Sequence, residues 1–280
     1  VSVVGGRGPP DDADLDFVLD EVLLRQRIDG TGYDRAPLAR RLRRRAAEEG
    51  VEGLAGLRRR LSTLEGGHPL WGRVVSDFSV RATTMFRDPA FFRTLRTEVL
   101  PTLGSGPLTI WVVGCATGEE VWSLGICLAQ AGVLSRTRVV ATDVDEEALA
   151  RARSGVASIA LMREYTGNYL ASGGEEPFSE YYRADARAAA FDPALLRNVV
   201  FARHDVTRDP PVTGACVVLC RNVLIHLGAA HRRRAWSVFD EVCASGGWVG
   251  LGAEEEPENG QGARWRRAVT GASWYRRAAS

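Results

Sequence analysis

Lysine is missing from this sequence: all 36 basic residues among its 280 are arginine. That excludes a Schiff-base lysine and the lysine of a phosphate-binding loop, and no GxxxxGK(S/T) motif occurs. Cysteine is sparse. Cys115, Cys127, Cys216, Cys220 and Cys243 make an odd set of five with no CxxC pair. Metal sites usually gather Cys and His at short spacing, and His68, His204, His226 and His231 supply no HExxH, so no metal is expected. Reduced thiols in a cytoplasmic protein are the expectation. No apolar run approaches the roughly 18 residues of a membrane helix. The first ten residues, VSVVGGRGPP, lack the apolar stretch of a signal peptide and read as a flexible tail. Net charge is only +1, so the chain as a whole is not built to bind a polyanion, and no nucleic-acid partner is expected.

What is present falls into two parts. In the first, Leu15, Val18, Leu19, Val22 and Leu23 recur at helical spacing behind Asp11, Asp12, Asp14 and Asp16, whose carboxylates suit a helix start. A second helix is predicted from Asp34, as its cap, to Glu49, with Gly50 ending it and Leu38, Leu42 and Ala46 inside. A third sets Leu54, Leu57, Leu61 and Leu64 against Arg58 to Arg60. Arg40, Arg41, Arg43, Arg44 and Arg45 cover the outer faces of the second. They form either a solvated surface or a docking face for an acidic signalling protein or receptor domain. Aromatics for stacking bases are not interleaved with them.

After Pro101–Gly106 the pattern changes. LTIWVV (108–113), VWSLGICLAQA (121–131), RVVATDV (138–144) and EEALARAR (146–153) alternate strand and helix, the signature of a mostly parallel sheet. Further strands are expected at 198–206, 215–220 and 246–252. ARWRRAV (263–269) and SWYRR (273–277) form a terminal antiparallel hairpin. An insertion of about 154–197 carries some helix and a short hairpin. The expected architecture is α/β: a Rossmann-like domain (89–280) with that hairpin, preceded by a small all-α, arginine-rich domain with linker (11–88).

The first strand opens into Gly114-Cys115-Ala116-Thr117-Gly118-Glu119-Glu120. Glycines at such a turn let a ligand approach the backbone at the carboxyl edge of an open sheet. A dinucleotide fingerprint would read GxGxxG with pyrophosphate on the helix N-terminus. Here two carboxylates follow instead, which repel pyrophosphate and suit a ligand bearing an ammonium and a sulfonium; S-adenosyl-L-methionine has both. Asp143, 29 residues after Gly114, ends the second strand, where a carboxylate can accept from ribose hydroxyls. Asp145 suits the cap of the next helix better. Asp205 follows the third strand and could accept from an adenine amino group, or be a loop residue. Arg221 and Asn222 end the fourth strand, with His226 four residues on.

The strings YDRAPLARRLRRR, TTMFRDPAFF, WVVGCATGEEVWSLGI, ATDVDEEALARARSGV and CRNVLIHL together resemble the CheR-type methyltransferases, from about Tyr33 to Tyr275. Those enzymes use S-adenosyl-L-methionine to esterify glutamate carboxylates on bacterial chemoreceptors, leaving S-adenosyl-L-homocysteine. MREYTGNYL and FSEYYRAD look more like a branch outside chemotaxis proper. The resemblance implies that Thr83 and Arg87 reach the cofactor, with the Gly114, Cys115 and Ala116 turn around it. It implies that Glu119 binds the methionine ammonium and Asp143 the ribose. Asp205 and Val206 would flank adenine, and Arg221 and Asn222 would line the cleft. Arg87, with His226 on the acceptor side, forms the expected catalytic pair. Four positions depart from the family: His226 stands where Tyr is usual, Asp205 where Asn is, Arg81 where a neutral residue is common, and GAEE (252–255) replaces a GHSE-like motif. The leading expectation is glutamate methylation on a signalling protein. The alternatives are a same-fold enzyme acting on a small-molecule carboxylate or hydroxyl, and a non-catalytic cofactor-binding module.

Overall fold

The computed structural model describes residues 10–78, 83–257 and 264–278. The expected N-terminal tail, apart from Pro10, which begins the first helix, and the departure at Arg81 lie outside the described residues. The chain divides into two compact units, one N-terminal and joined by His226–His231, the other running from the linker to Ile225 and from Arg232 onward.

The first unit is helical: α1 (Pro10–Gln26), α2 (Arg35–Glu48), α3 (Gly53–Ser62) and α4 (Pro69–Ser76). The apolar stripes are inside. Leu15, Val18, Leu19 and Val22 of α1, Leu38, Leu42 and Ala46 of α2, and Leu54, Leu57 and Leu61 of α3 are all buried. Leu23 and Leu64 sit at the margin, half-buried. Helix α4, with Pro69 in its first turn, adds Leu70, Trp71, Val74 and Val75; its period is too short to stand out in the sequence. Asp34 occupies the cap position of α2, but its side chain makes no cap bond. Its N–H instead donates to the His226 carbonyl at 3.1 Å, and Tyr33 forms an isolated antiparallel bridge with Leu227. These bonds bring 226–231 into the helical unit. The arginine face is partly neutralised from within. Asp77, only 3% exposed, accepts from Arg45 Nε at 2.9 Å, and Arg73 Nε donates to Glu49 at 2.7 Å.

The second unit opens with a short helix, α5 (Pro89–Thr94). It continues with β1 (Leu108–Val113), α6 (Glu119–Gln130), β2 (Thr137–Asp143) and α7 (Glu146–Ser154). The insertion holds β3 (Val156–Ser158), α8 (Met162–Ala171), β4 (Tyr182–Ala184) and β5 (Ala188–Phe191). Then come β6 (Val199–Arg203), β7 (Val217–Cys220), α9 (Ala229–Val242) and β8 (Trp248–Leu251). The hairpin β9 (Trp265–Arg267) and β10 (Trp274–Arg277) closes the chain.

One sheet has the order β6-β2-β1-β7-β8-β10-β9. Its first five strands are parallel and the hairpin adds antiparallel pairs. Strand order reverses at β1, so the switch point opens between the carboxyl ends of β1 and β7. Strands β1, β7 and β8 are covered on both faces, which is why they read as continuous apolar runs. The insertion forms a separate antiparallel sheet, β3-β5-β4, rather than a hairpin alone. Among the described residues no helix is long and apolar enough to cross a membrane.

Candidate active site

The turn after β1 lies at that switch point. Gly114 has φ +67°, and a β-carbon there would come within 2.4 Å of Val223 Cγ2 in the loop after β7. Glycine therefore lets the two loops touch. Ala116 is also left-handed, at φ +46°. Cys115 N–H donates to the Thr142 carbonyl at 2.9 Å, and burial pushes its thiol well above the usual range, so it is a packing residue of the turn.

Asp143 anchors this turn. Its Oδ2 accepts from Ala116 N–H at 2.8 Å and its Oδ1 from Asp145 N–H at 2.9 Å. The residue is 4% exposed, and burial raises its carboxyl above the ordinary value, against the pull of these N–H donors. Asp145 caps α7 by accepting from Glu147 and Ala148 N–H. Asp143 is thus left with lone pairs at a sheet edge, the chemistry a ribose diol requires.

Glu119 and Glu120 open α6 behind left-handed Gly118. Glu119 accepts from Thr117 Oγ1 at 2.7 Å and, more weakly, from Tyr165 Oη of α8 at 3.4 Å. Glu120 is paired with Arg221, which leaves Glu119 as the carboxylate at the helix start that favours a cation. Donor set, buried acid and close turn together fit S-adenosyl-L-methionine: Glu119 would hold its ammonium and Asp143 its ribose.

Arg87 sits in a loop bent at both neighbours, with Phe86 at φ +52° and Asp88 at φ +54°. Three contacts hold that shape. Phe86 N–H donates to Ser123 Oγ of α6 at 2.9 Å. Arg221 Nη2 donates to the Arg87 carbonyl at 2.8 Å and to Asp88 Oδ2 at 2.7 Å. Arg221 Nη1 donates to Glu120 at 2.7 Å, and its guanidinium lies 4.1 Å from the Phe91 ring centroid. The positive charges of Arg221 and Arg87 both act on Glu120, whose carboxyl burial raises. Strained non-glycine backbone of this kind collects at functional loops.

The remaining expected residues lie around this centre. Thr83 is half-buried in the segment leading to Arg87. Asn222 is left-handed, at φ +59°, directly after Arg221. Asp205 and Val206 are buried beyond β6; Asp205 Oδ1 accepts from Thr207 N–H and Oγ1 at 2.9 and 2.6 Å, a local turn. His226 falls in the helical unit. Sequence reasoning missed Ser123, Tyr165 and the partners of Arg221. A serine in an apolar helix face and a tyrosine in an irregular insertion carry no motif.

A parallel sheet with its ligand edge at β1, a buried acid ending β2 and carboxylates opening α6 define a class I S-adenosylmethionine-dependent methyltransferase. The profile described as "CheR methyltransferase, SAM binding domain" matches residues 81–269, and the chain belongs to that family. It is 34% identical over 245 residues to the Pseudomonas putida protein Cher3, which carries a methyltransferase name, covering 87% of this chain and 89% of that one. It is 28% identical over 232 residues to chemotaxis protein methyltransferase 1 of Pseudomonas aeruginosa, covering 78% and 81%. S-adenosyl-L-methionine is the cofactor.

Proposed function

We propose that this enzyme methyl-esterifies glutamate side chains of a signalling protein in the cytoplasm. The observation that carries the reading is Arg87, held on a loop braced at Phe86, Arg87 and Asp88 beside the cofactor turn. A planar two-donor fork suits a carboxylate. Such an acceptor is ionised at pH 7, so no base is needed and placement in line with the methyl group supplies most of the catalysis. The bound cofactor supplies an electrophilic methyl on sulfur. An acceptor carboxylate held by Arg87 would stand in line with that methyl group, with the sulfur as its leaving group. Arg87 orients the acceptor, Glu119 and Asp143 hold the cofactor, and Asp205 with Val206 flank adenine. Thr83, Arg221 and Asn222 complete the pocket wall.

The relatives named for chemotaxis favour a receptor as substrate. Exposed Arg40, Arg43 and Arg44 of α2, with Arg59 and Arg60 of α3, offer it a basic face; Arg45 and Arg73 are engaged internally. The five free cysteines suit a reducing compartment. The test is transfer from methyl-labelled cofactor to candidate receptor signalling domains, followed by base. Volatile labelled methanol supports a glutamate ester. Label that stays on the product after base points to a hydroxyl acceptor and overturns the reading.

A further inference from the structure

The string MREYTGNYL forms most of α8, in the insertion, and has no part in the methyl transfer proposed so far. Three consecutive residues of the segment leading to Arg87 are tied to this helix. Thr84 Oγ1 donates to Glu164 at 2.6 Å, and the Met85 carbonyl accepts from Asn168 Nδ2 at 3.0 Å. The Phe86 ring meets the Tyr169 ring edge-on, with 5.2 Å between centroids. Glu164 and Asn168 stand one turn apart on the helix, as do Tyr165 and Tyr169. The contacts of Glu164, Asn168 and Tyr169 therefore fix how α8 is rotated about its axis, and with it where Tyr165 points.

Tyr165 is 1% exposed, and its hydroxyl donates to Glu119 Oε1 at 3.4 Å. The bond is long, as such bonds often are before a ligand draws a site together. Thr117 Oγ1 donates to the other oxygen, Oε2, at 2.7 Å. One hydroxyl on each oxygen pins the plane of the carboxylate, and each oxygen keeps a lone pair for a further donor. Burial first, and then the charge of Glu119, push the Tyr165 hydroxyl well above the usual tyrosine range, so it keeps its proton and acts as a donor. A buried tyrosine hydroxyl needs only some acceptor, and a backbone carbonyl would serve. This one is spent on the carboxylate that opens α6, and Met85, Thr117, Glu119 and Tyr165 line one small cavity.

We infer that Tyr165 is a positioning residue for the cofactor's ammonium: from α8 it orients the Glu119 carboxylate that the ammonium meets. The inference rests on the assignment of Glu119 to the ammonium and is independent of the methyl acceptor. Removing the hydroxyl leaves the charge of Glu119 in place and frees its carboxylate to turn. What is lost is aim, so the loss belongs to ligands that carry the ammonium.

The test is calorimetric binding of two ligands: S-adenosylhomocysteine, and its analogue in which hydrogen replaces the amino group. The proteins are wild type, Tyr165→Phe, Glu119→Ala and the double variant. Tyr165→Phe should bind S-adenosylhomocysteine about threefold or more below wild type, the size of a modest hydrogen bond, and should bind the analogue as wild type does. Glu119→Ala should lose more, and adding Tyr165→Phe to it should cost nothing further, because Tyr165 then has no carboxylate to orient. Unchanged binding of the analogue also shows that the variant is folded. Should Tyr165→Phe be insoluble, Tyr165→Met, which likewise lacks the hydroxyl, decides by the same pair of ligands. Equal losses on both ligands, which a packing role alone would give, overturn the inference. So does a smaller loss on S-adenosylhomocysteine, or additive losses in the double variant. Wild-type affinity in Glu119→Ala is a separate failure: it removes Glu119 from the ammonium and takes the inference with it.

Discussion

Arg221 donates to Asp88 at 2.7 Å and, from its other terminal nitrogen, to Glu120 at 2.7 Å. The side chain of Arg221 is 2% exposed. It therefore serves as a brace between the Arg87 loop and the start of α6: the residue sets where the Arg87 backbone stands.

Removing this brace should be expensive. Arg221→Met leaves buried Glu120 without its hydrogen-bonded cation, which costs roughly 3–5 kcal/mol. Thermal unfolding should show a large drop, and the double variant with Glu120→Gln should recover part of it. Equal melting of Arg221→Met and wild type would remove the brace from the account.

Cofactor affinity should depend on pH through Asp143. Burial raises its carboxyl, and ribose hydroxyls donate to the ionised form. S-adenosylhomocysteine affinity should be flat above that raised value and fall about tenfold per pH unit below it. Asp143→Asn should bind weakly at every pH, without that slope. In the unliganded protein the sign is reversed. The raised value stabilises the fold most below the carboxyl's unfolded pKa, and that contribution is lost as pH climbs through the folded one. Calorimetry from pH 7 downward measures the binding half; a slope that persists in Asp143→Asn would assign it elsewhere.

Gly114→Ala should weaken cofactor binding for two separable reasons. The new methyl would meet Val223 at 2.4 Å, and φ +67° costs a side chain about 1–2 kcal/mol. Adding Val223→Ala relieves only the contact. Partial recovery of S-adenosylhomocysteine affinity in the double variant is expected; full recovery would show that the backbone carries no strain.

Arg87→Lys should keep the charge and lose the function, with turnover at least tenfold down, because an ammonium cannot present two parallel donors to a carboxylate. Single-turnover kinetics with saturating cofactor read this directly. Near wild-type rates would leave Arg87 as a point charge only.

Much of this was legible in the chain itself. Strand β1 coincides with LTIWVV, and the cap at Asp145 and the hairpin at the end follow from local rules: apolar runs of strand length, a short polar side chain before a helix, and Thr270-Gly271-Ala272 between two strand-like runs. The candidate cofactor turn was readable for the same reason, since its glycines, its following carboxylates and Asp143 stand at strand ends and a helix start that local patterning marks.

The sequence by itself determined which residues could meet an ammonium and a ribose, because those sites are built from one βα turn and the next strand. Only the tertiary structure decided what holds them. Ser123 supports Phe86 from 37 residues away, Arg221 supports Asp88 from 133, and Glu255 supports Asn222 from 33. These ties join elements that become neighbours only when the second unit packs. Hydrogen bonds between such distant positions leave no period or spacing in the sequence, since what brings them together is packing of the sheet and not the local path of the chain. The same holds for His226, whose carbonyl accepts from Asp34 N–H: nothing in CRNVLIHL announces that the strand-end motif finishes in the helical unit.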